Sequence, residues 1–327
     1  METVLYFSAP GASDFKIFQP SGNDVGNVLF DMVPFMKESR SLRLSLKETQ
    51  SEPLINPAEA TGKQGNYTRK EYEQLIEKTR QHIAVEGWGK VVISRSQSFK
   101  LKESRPLEWF HALRQRYPNA CVYLFQHPEC GVWMGATPEL LISGQAGELQ
   151  SMSLAGTRRK GQEHTFEPKE EEEQAIVTRY VSGILKDQKG VSEVQIHERD
   201  QLVAGELVHF VNRITARYSG ELEVDDLLKE LHPTPAVGGF PKQAALDFIS
   251  RNEKHDRSYY SGYLGLRTPD AFAYYVNLRC MQVYKDEVVL YAGGGILADS
   301  DPTDEWEETE AKLQTLLRVI QSNDSHE

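Results

Sequence analysis

Apolar residues recur at helical spacing in several stretches of the chain. Tyr72, Leu75, Ile76, Thr79 and Ile83 share one helical face, and Thr68-Arg69-Lys70-Glu71 just ahead of them has the spacing of a capping box, so a helix is predicted through Ile83. Pro106 to Arg116 reads as a second helix, with Pro at its first turn and Tyr117-Pro118 as its stop. Glu170 to Leu185 follows the same period, with Ile176, Val177, Tyr180 and Ile184 facing inward, and Val224 to Leu231 and Lys242 to Ile249 are shorter helices. Ser300-Asp301-Pro302 opens a last helix whose apolar stripe is Leu313, Leu316, Leu317 and Ile320.

Between these helices the pattern is that of strands. Residues 1 to about 50 read as short strands and loops, and 51 to 66 as an exposed loop. Lys90 to Arg95 is a short β-branched strand, and Cys121 to Leu154 reads as strands separated by Gly and Pro turns. Val203 to Tyr218 alternates as one strand, and Phe272 to Leu290 as a hairpin turning near Lys285-Asp286-Glu287. Strands and helices that do not alternate strictly argue for an α+β fold rather than a doubly wound sheet.

The composition narrows the class of function. At 327 residues the chain suffices for one large domain or two moderate ones. No apolar stretch is long enough to span a bilayer. The opening Met-Glu-Thr-Val-Leu-Tyr-Phe carries no basic region ahead of an apolar core and does not read as a secretory signal. Cys121, Cys130 and Cys280 form no metal-type pairs and read as free thiols in a reducing cytosol, so a cytoplasmic location with no membrane partner is expected. A net charge of -11 argues against a nucleic-acid surface, and an anionic ligand would have to rest on local cations. The histidines show no His-x-x-x-His pair, so zinc is not expected.

Several segments carry candidate chemistry. Glu170 and Glu173 lie one helical turn apart, and Glu305, Glu308 and Lys312 line one face of the last helix. Taken alone, each acidic run reads as a solvated face. Lys90 and Glu139 read as surface charges, Arg279 as a solvated residue on a strand face shared with Tyr275, Asn277 and Met281, and Gly293-Gly294-Gly295 as a flexible turn. Phe272, Tyr274, Val276 and Leu278 form the opposite, inward face of that strand.

The ordered set of these segments resembles the chorismate-utilising enzymes, and the isochorismate synthases in particular. It comprises Lys90-Val91-Val92-Ile93-Ser94-Arg95, Gly135-Ala136-Thr137-Pro138-Glu139, Leu154-Ala155-Gly156-Thr157, the acidic helix, Pro235-Ala236-Val237-Gly238-Gly239, Leu278-Arg279-Cys280, Gly293-Gly294-Gly295 and Glu305-Trp306-Glu307-Glu308-Thr309. In the acidic helix Glu170 stands where the family has Asp and Gln174 where it has His. The resemblance implies two stacked antiparallel sheets with outer helices and a single central cleft. It also implies a catalytic domain over 67–327, with 1–66 as a shortened N-terminal region packed on it.

The resemblance further implies site roles. Lys90 would activate a water that attacks ring carbon 2 of chorismate, and Glu139 would protonate the hydroxyl leaving carbon 4. Glu173 and Glu308 would hold Mg2+, which takes one or two carboxylates and keeps several waters. Arg279, Lys312, the backbone of Gly156, Gly293, Gly294 and Gly295, and His209 would bind substrate, although His209 reads equally as a core residue. Lys at position 90 favours water over an amine as nucleophile, and Ala236 replaces a Thr common in amine-transferring and salicylate-forming relatives. The expected product is therefore isochorismate, for menaquinone or siderophore synthesis. Salicylate synthase and a non-catalytic ligand-binding relative are the alternatives. Chorismate is the expected small-molecule partner, no glutamine amidotransferase is expected, and the chain is expected as a monomer or weak homodimer.

Overall fold

The computed structural model describes residues 1–22, 28–36, 40–60, 65–159, 168–204 and 207–324. Four strands come first: β1 (Val4–Ser8), β2 (Lys16–Pro20), β3 (Val28–Val33) and β4 (Leu42–Thr49). Helix α1 (Arg69–Glu86) leads into β5 (Lys90–Lys100), and α2 (Pro106–Arg116) into β6 (Cys121–His127), β7 (Gly131–Thr137), β8 (Leu140–Gln145) and β9 (Glu148–Arg159). Helix α3 (Pro168–Asp187) precedes β10 (Val191–Ile196), β11 (Asp200–Ala204) and β12 (Leu207–Tyr218). Then follow α4 (Val224–Leu231), β13 (Gly239–Phe240), α5 (Lys242–Asn252), β14 (Tyr263–Arg267), β15 (Ala271–Val276), β16 (Cys280–Val283), β17 (Glu287–Ile296) and α6 (Pro302–Asp324).

The local signals for α1 act as expected. Thr68 caps the helix through the reciprocal Thr68–Glu71 box, and the buried face is Tyr72, Leu75, Ile76, Thr79 and Ile83. Gly87 ends it in the left-handed region at φ 65°, where a Cβ would be strained. Helix α2 starts on Pro106 and buries Trp109, Phe110 and Leu113, each contributing about 1.5–3 kcal/mol of apolar burial.

Three strand expectations are corrected. The strand from Lys90 continues to Lys100 because β17 pairs with it from Val91 onward, Ile296 opposite Val91 and Glu287 opposite Lys100. Val203 to Tyr218 is not one strand: β11 and β12 pair antiparallel with Ala204 opposite Leu207, and residues 205 and 206 lie outside the described residues. Phe272 to Leu290 is not one hairpin either. β15 ends at Val276, the chain turns through Asn277-Leu278-Arg279, and the hairpin is β16–β17 alone. Alternation runs through the break because both faces are buried: Tyr275, Asn277 and Met281 are as enclosed as Phe272, Tyr274 and Val276.

Among the described residues seventeen strands join one antiparallel hydrogen-bonded network. Its path runs from β12 through β9, β8, β15, β14, β3, β4, β2, β1, β6, β7, β16 and β17 to β5, with β10 and β11 on β12 and β13 on β5. β1 to β4 are thus built into the middle of the path. The network folds into two leaves around an aromatic core that includes Phe30, Tyr123, Phe125, Trp133, Tyr275 and Tyr291. Helices α3 and α4 lie together over β9, β10 and β12, while α1, α2 and α6 lie side by side over β5, β6, β7 and β17, and α5 packs on β5 and β13. This is an α+β fold of two stacked antiparallel leaves with helices outside. Among the described residues no helix is long and apolar enough to cross a membrane.

Candidate active site

The two ends of the strand path face each other across a cleft of about 810 Å³, counting its open mouth. β9 and β12 contribute Leu154 and His209, β5 and β17 contribute Lys90, Val92 and residues 291–295, and the helices α3 and α6 contribute Glu173, Glu308 and Lys312. Glu139, Ala236 and Arg279 complete the set of charged or specificity-bearing side chains expected from the sequence.

Lys90 opens β5 and is only 4% exposed. Its Nζ lies 3.2 Å from Glu173 Oε2. Gly295 makes room for both: a Cβ there would collide with Lys90 Cε and stand 2.7 Å from Glu173 Oε2. The glycine stretch is a close-approach surface in a paired strand, Gly294 opposite Ile93 and Gly293 opposite Ser94, rather than a flexible turn.

Glu139 sits between β7 and β8. Its carbonyl accepts from Val276 N at 3.0 Å, while Thr137 Oγ1 donates to Val276 O at 2.6 Å. These bonds pin the Pro138-Glu139 corner against the end of β15. The carboxyl is buried, and burial pushes its pKa up to about 7 against the opposing pull of Lys90, Lys312 and Arg279. A carboxyl in that range still carries a proton near neutrality and can donate it.

Arg279 is not a solvated strand residue. It occupies the break between β15 and β16 in the left-handed region, φ 47°, and turns its side chain into the cleft. Burial lowers its pKa from the ordinary value, yet a guanidinium stays charged. Among the described residues it forms no salt bridge, which leaves its fork for an anion. Lys312 donates to Gly293 O at 2.7 Å and pairs with Glu308 Oε1 at 2.5 Å. Gly156 is the extra residue of a bulge in β9, since His209 stands opposite Thr157 and Phe210 opposite Ala155. His209 is buried and faces the cleft rather than the general core.

Other residues at the cleft escaped the sequence reading. Tyr260 and Ser261 line it, and Tyr260 stacks on Tyr291 with centroids 5.4 Å apart. Behind them Arg257 donates to Val92 O at 2.7 Å and Val237 O at 2.8 Å, tying together two segments that line the cleft. Arg257 is paired with Glu253 at 2.6 Å, both nearly fully enclosed. Burial would raise the Glu253 carboxyl, but the charge and hydrogen bonds of Arg257 more than offset it and hold it below the usual range. The only sequence signal was their i,i+4 spacing, which is also what a surface pair shows.

Two carboxylates, Glu173 and Glu308, reach the cleft from separate helices, each beside a lysine. Among the described residues no cluster of three or more His, Cys, Asp or Glu is formed. Two oxygen donors and an open side fit Mg2+, which retains waters, and would not fit a closed structural site.

The chain belongs to the family of chorismate binding enzymes, which matches residues 30–321. It is 29% identical over 274 residues to the salicylate biosynthesis isochorismate synthase of Pseudomonas aeruginosa, a match covering 80% of this chain and 57% of that protein. It is 31% identical over 216 residues to the isochorismate synthase EntC of Escherichia coli K12, covering 62% of this chain and 55% of that protein. The chain thus matches little more than half the length of either relative. The solved structure of MenF, the menaquinone-specific isochorismate synthase of Escherichia coli, superposes with a TM-score of 0.83 over 98% of this chain and 89% of that one. At 19% identity that likeness is one of fold.

Proposed function

We propose that this chain is an isochorismate synthase that converts chorismate to isochorismate with Mg2+. The observation that carries the reading is the pairing, in one cleft, of a buried lysine with a buried carboxyl whose pKa is raised to about 7. Such a pair can remove a proton at one point of a ring and deliver one at another.

In this reading Lys90 Nζ accepts a proton from a water as its oxygen bonds to ring carbon 2. The ring double bonds shift, and the bond from carbon 4 to its hydroxyl breaks. Glu139 gives that hydroxyl its proton, so water leaves. One water is consumed and one released, and nothing is oxidised or reduced. Lys90 and Glu139 end with exchanged protonation and reset through solvent. Arg279 holds one substrate carboxylate in a bidentate grip, and the backbone of β17 and Lys312 face another, with the Gly156 bulge of β9 proposed as a further backbone donor. Mg2+ held by Glu173 and Glu308 would neutralise carboxylate charge at the second anchor. These local cations answer the repulsion that a net charge of -11 exerts on a dianionic ligand. Ala236 presents a methyl where a hydroxyl would add a donor to the pocket. Water as nucleophile makes an ammonia-supplying partner unnecessary.

The test is incubation of the purified chain with chorismate and Mg2+, with products separated by chromatography. Isochorismate is expected. Fluorescent salicylate with pyruvate would replace this reading with a salicylate synthase, and no turnover would favour a ligand-binding relative.

A further inference from the structure

Arg95 is a fully buried arginine that takes no part in the chemistry above. It lies five positions beyond Lys90 on β5. Strand alternation therefore sends it to the opposite face from Lys90 and Val92, away from the cleft and onto helix α6. Its guanidinium stacks 3.9 Å from the ring centroid of Trp306. Its Nε donates to Thr309 Oγ1 at 2.8 Å, its Nη1 donates to Gln97 Oε1 at 2.8 Å, and its Nη2 pairs with Glu310. Trp306, Thr309 and Glu310 form one face of α6, and Glu308 and Lys312 lie on the other, turned to the cleft. One residue of helical rotation is about 100° and would carry Glu308 off the cleft. The Arg95 contacts tie this face of α6 to the strand that bears Lys90, beside the buried Leu313, Leu316, Leu317 and Ile320 stripe and the Lys312–Gly293 bond that also seat the helix.

We infer that Arg95 is a positioning residue which, through Trp306 and Thr309, aims Glu308 into the cation site of the cleft. The inference rests on the proposed role of Glu308 in holding Mg2+. It also explains why Trp and Thr accompany the glutamates in Glu305-Trp306-Glu307-Glu308-Thr309: they are the receptor for a buried arginine, while Glu308 is the ligand.

The experiment compares Arg95→Lys, which keeps the charge but loses the planar fork, with Thr309→Val, which removes the acceptor at equal volume. Mn2+ binding to the metal-free protein is read from loss of the free-ion EPR signal, with Mg2+ as competitor and Glu308→Gln as reference. Urea unfolding is measured in parallel. Both variants should bind Mn2+ about tenfold more weakly, the scale on which partners of metal ligands act. Catalytic rate should recover at high Mg2+. Mn2+ affinity within twofold of wild type in Thr309→Val, with only the unfolding midpoint lowered, would overturn the inference. That variant decides the matter if Arg95→Lys does not fold. Wild type that binds no Mn2+, or Glu308→Gln that binds like wild type, would remove the cation-site assignment itself and this inference with it.

Discussion

Replacing Glu139 by Gln removes one titrating carboxyl and little else, so its consequences can be worked from the structure. The folded pKa of Glu139 rises from the ordinary 4.5 to about 7, driven first by burial. At 1.36 kcal/mol per unit, that shift is roughly 3 kcal/mol by which the folded state disfavours the ionised form. The sign follows from proton linkage. Below the unfolded pKa both states hold the proton and wild type has its full stability. As pH rises, the unfolded chain releases the proton first, and wild type loses stability until the folded group ionises near 7. Glu139→Gln has no such loss. Urea unfolding of both proteins in chelator, from about pH 5 to about pH 8, should show wild type falling relative to the variant by about 2.5 kcal/mol, the rest of the loss lying below about pH 5. Parallel profiles would refute the raised pKa. In the same variant turnover of chorismate should fall about 10²- to 10⁴-fold, since an amide cannot give up a proton to the leaving hydroxyl. Wild-type kcat/KM should decline on the alkaline side of about 7. Near-normal turnover in Glu139→Gln would take Glu139 out of the mechanism.

Lys90→Gln should keep the fold and lose turnover about 10²- to 10⁴-fold, measured by the chromatographic assay. Gly295→Ala should push the new methyl into Lys90 and Glu173, costing about 1–3 kcal/mol by urea unfolding together with a large drop in kcat. Arg257→Met strands Glu253 without its partner in a buried setting and should cost about 3–5 kcal/mol, with both Val92 and Val237 released from their carbonyl contacts.

The helices were legible in the sequence because their signals are local. The Thr68–Glu71 box, Pro106 at the start of α2 and the Leu313–Ile320 stripe each lie within a few turns of chain. The strands were less so. Alternation tells buried from exposed faces, and in a two-leaf sandwich with outer helices both faces are buried, so the break at Asn277-Leu278-Arg279 left no mark in the pattern. Lys90, Glu139, Glu173, Glu308 and Arg279 were found as an ordered set, although each alone read as a surface charge, and the fold brings all five to one cleft. Arg95, Glu253 and Arg257 were not found. They act through partners 214, 159 and 165 positions away along the chain, and no local spacing marks such contacts.

The assignment of Lys90 and Glu139 to opposite ends of one displacement is tested most directly by turnover in H2(18)O. The product should be isochorismate with one heavy oxygen, located at the ring carbon 2 hydroxyl, and labelled product should form about 10²- to 10⁴-fold more slowly in Lys90→Gln. Isochorismate without label at that carbon, or label that persists at the wild-type rate in Lys90→Gln, would contradict water attack assisted by this lysine.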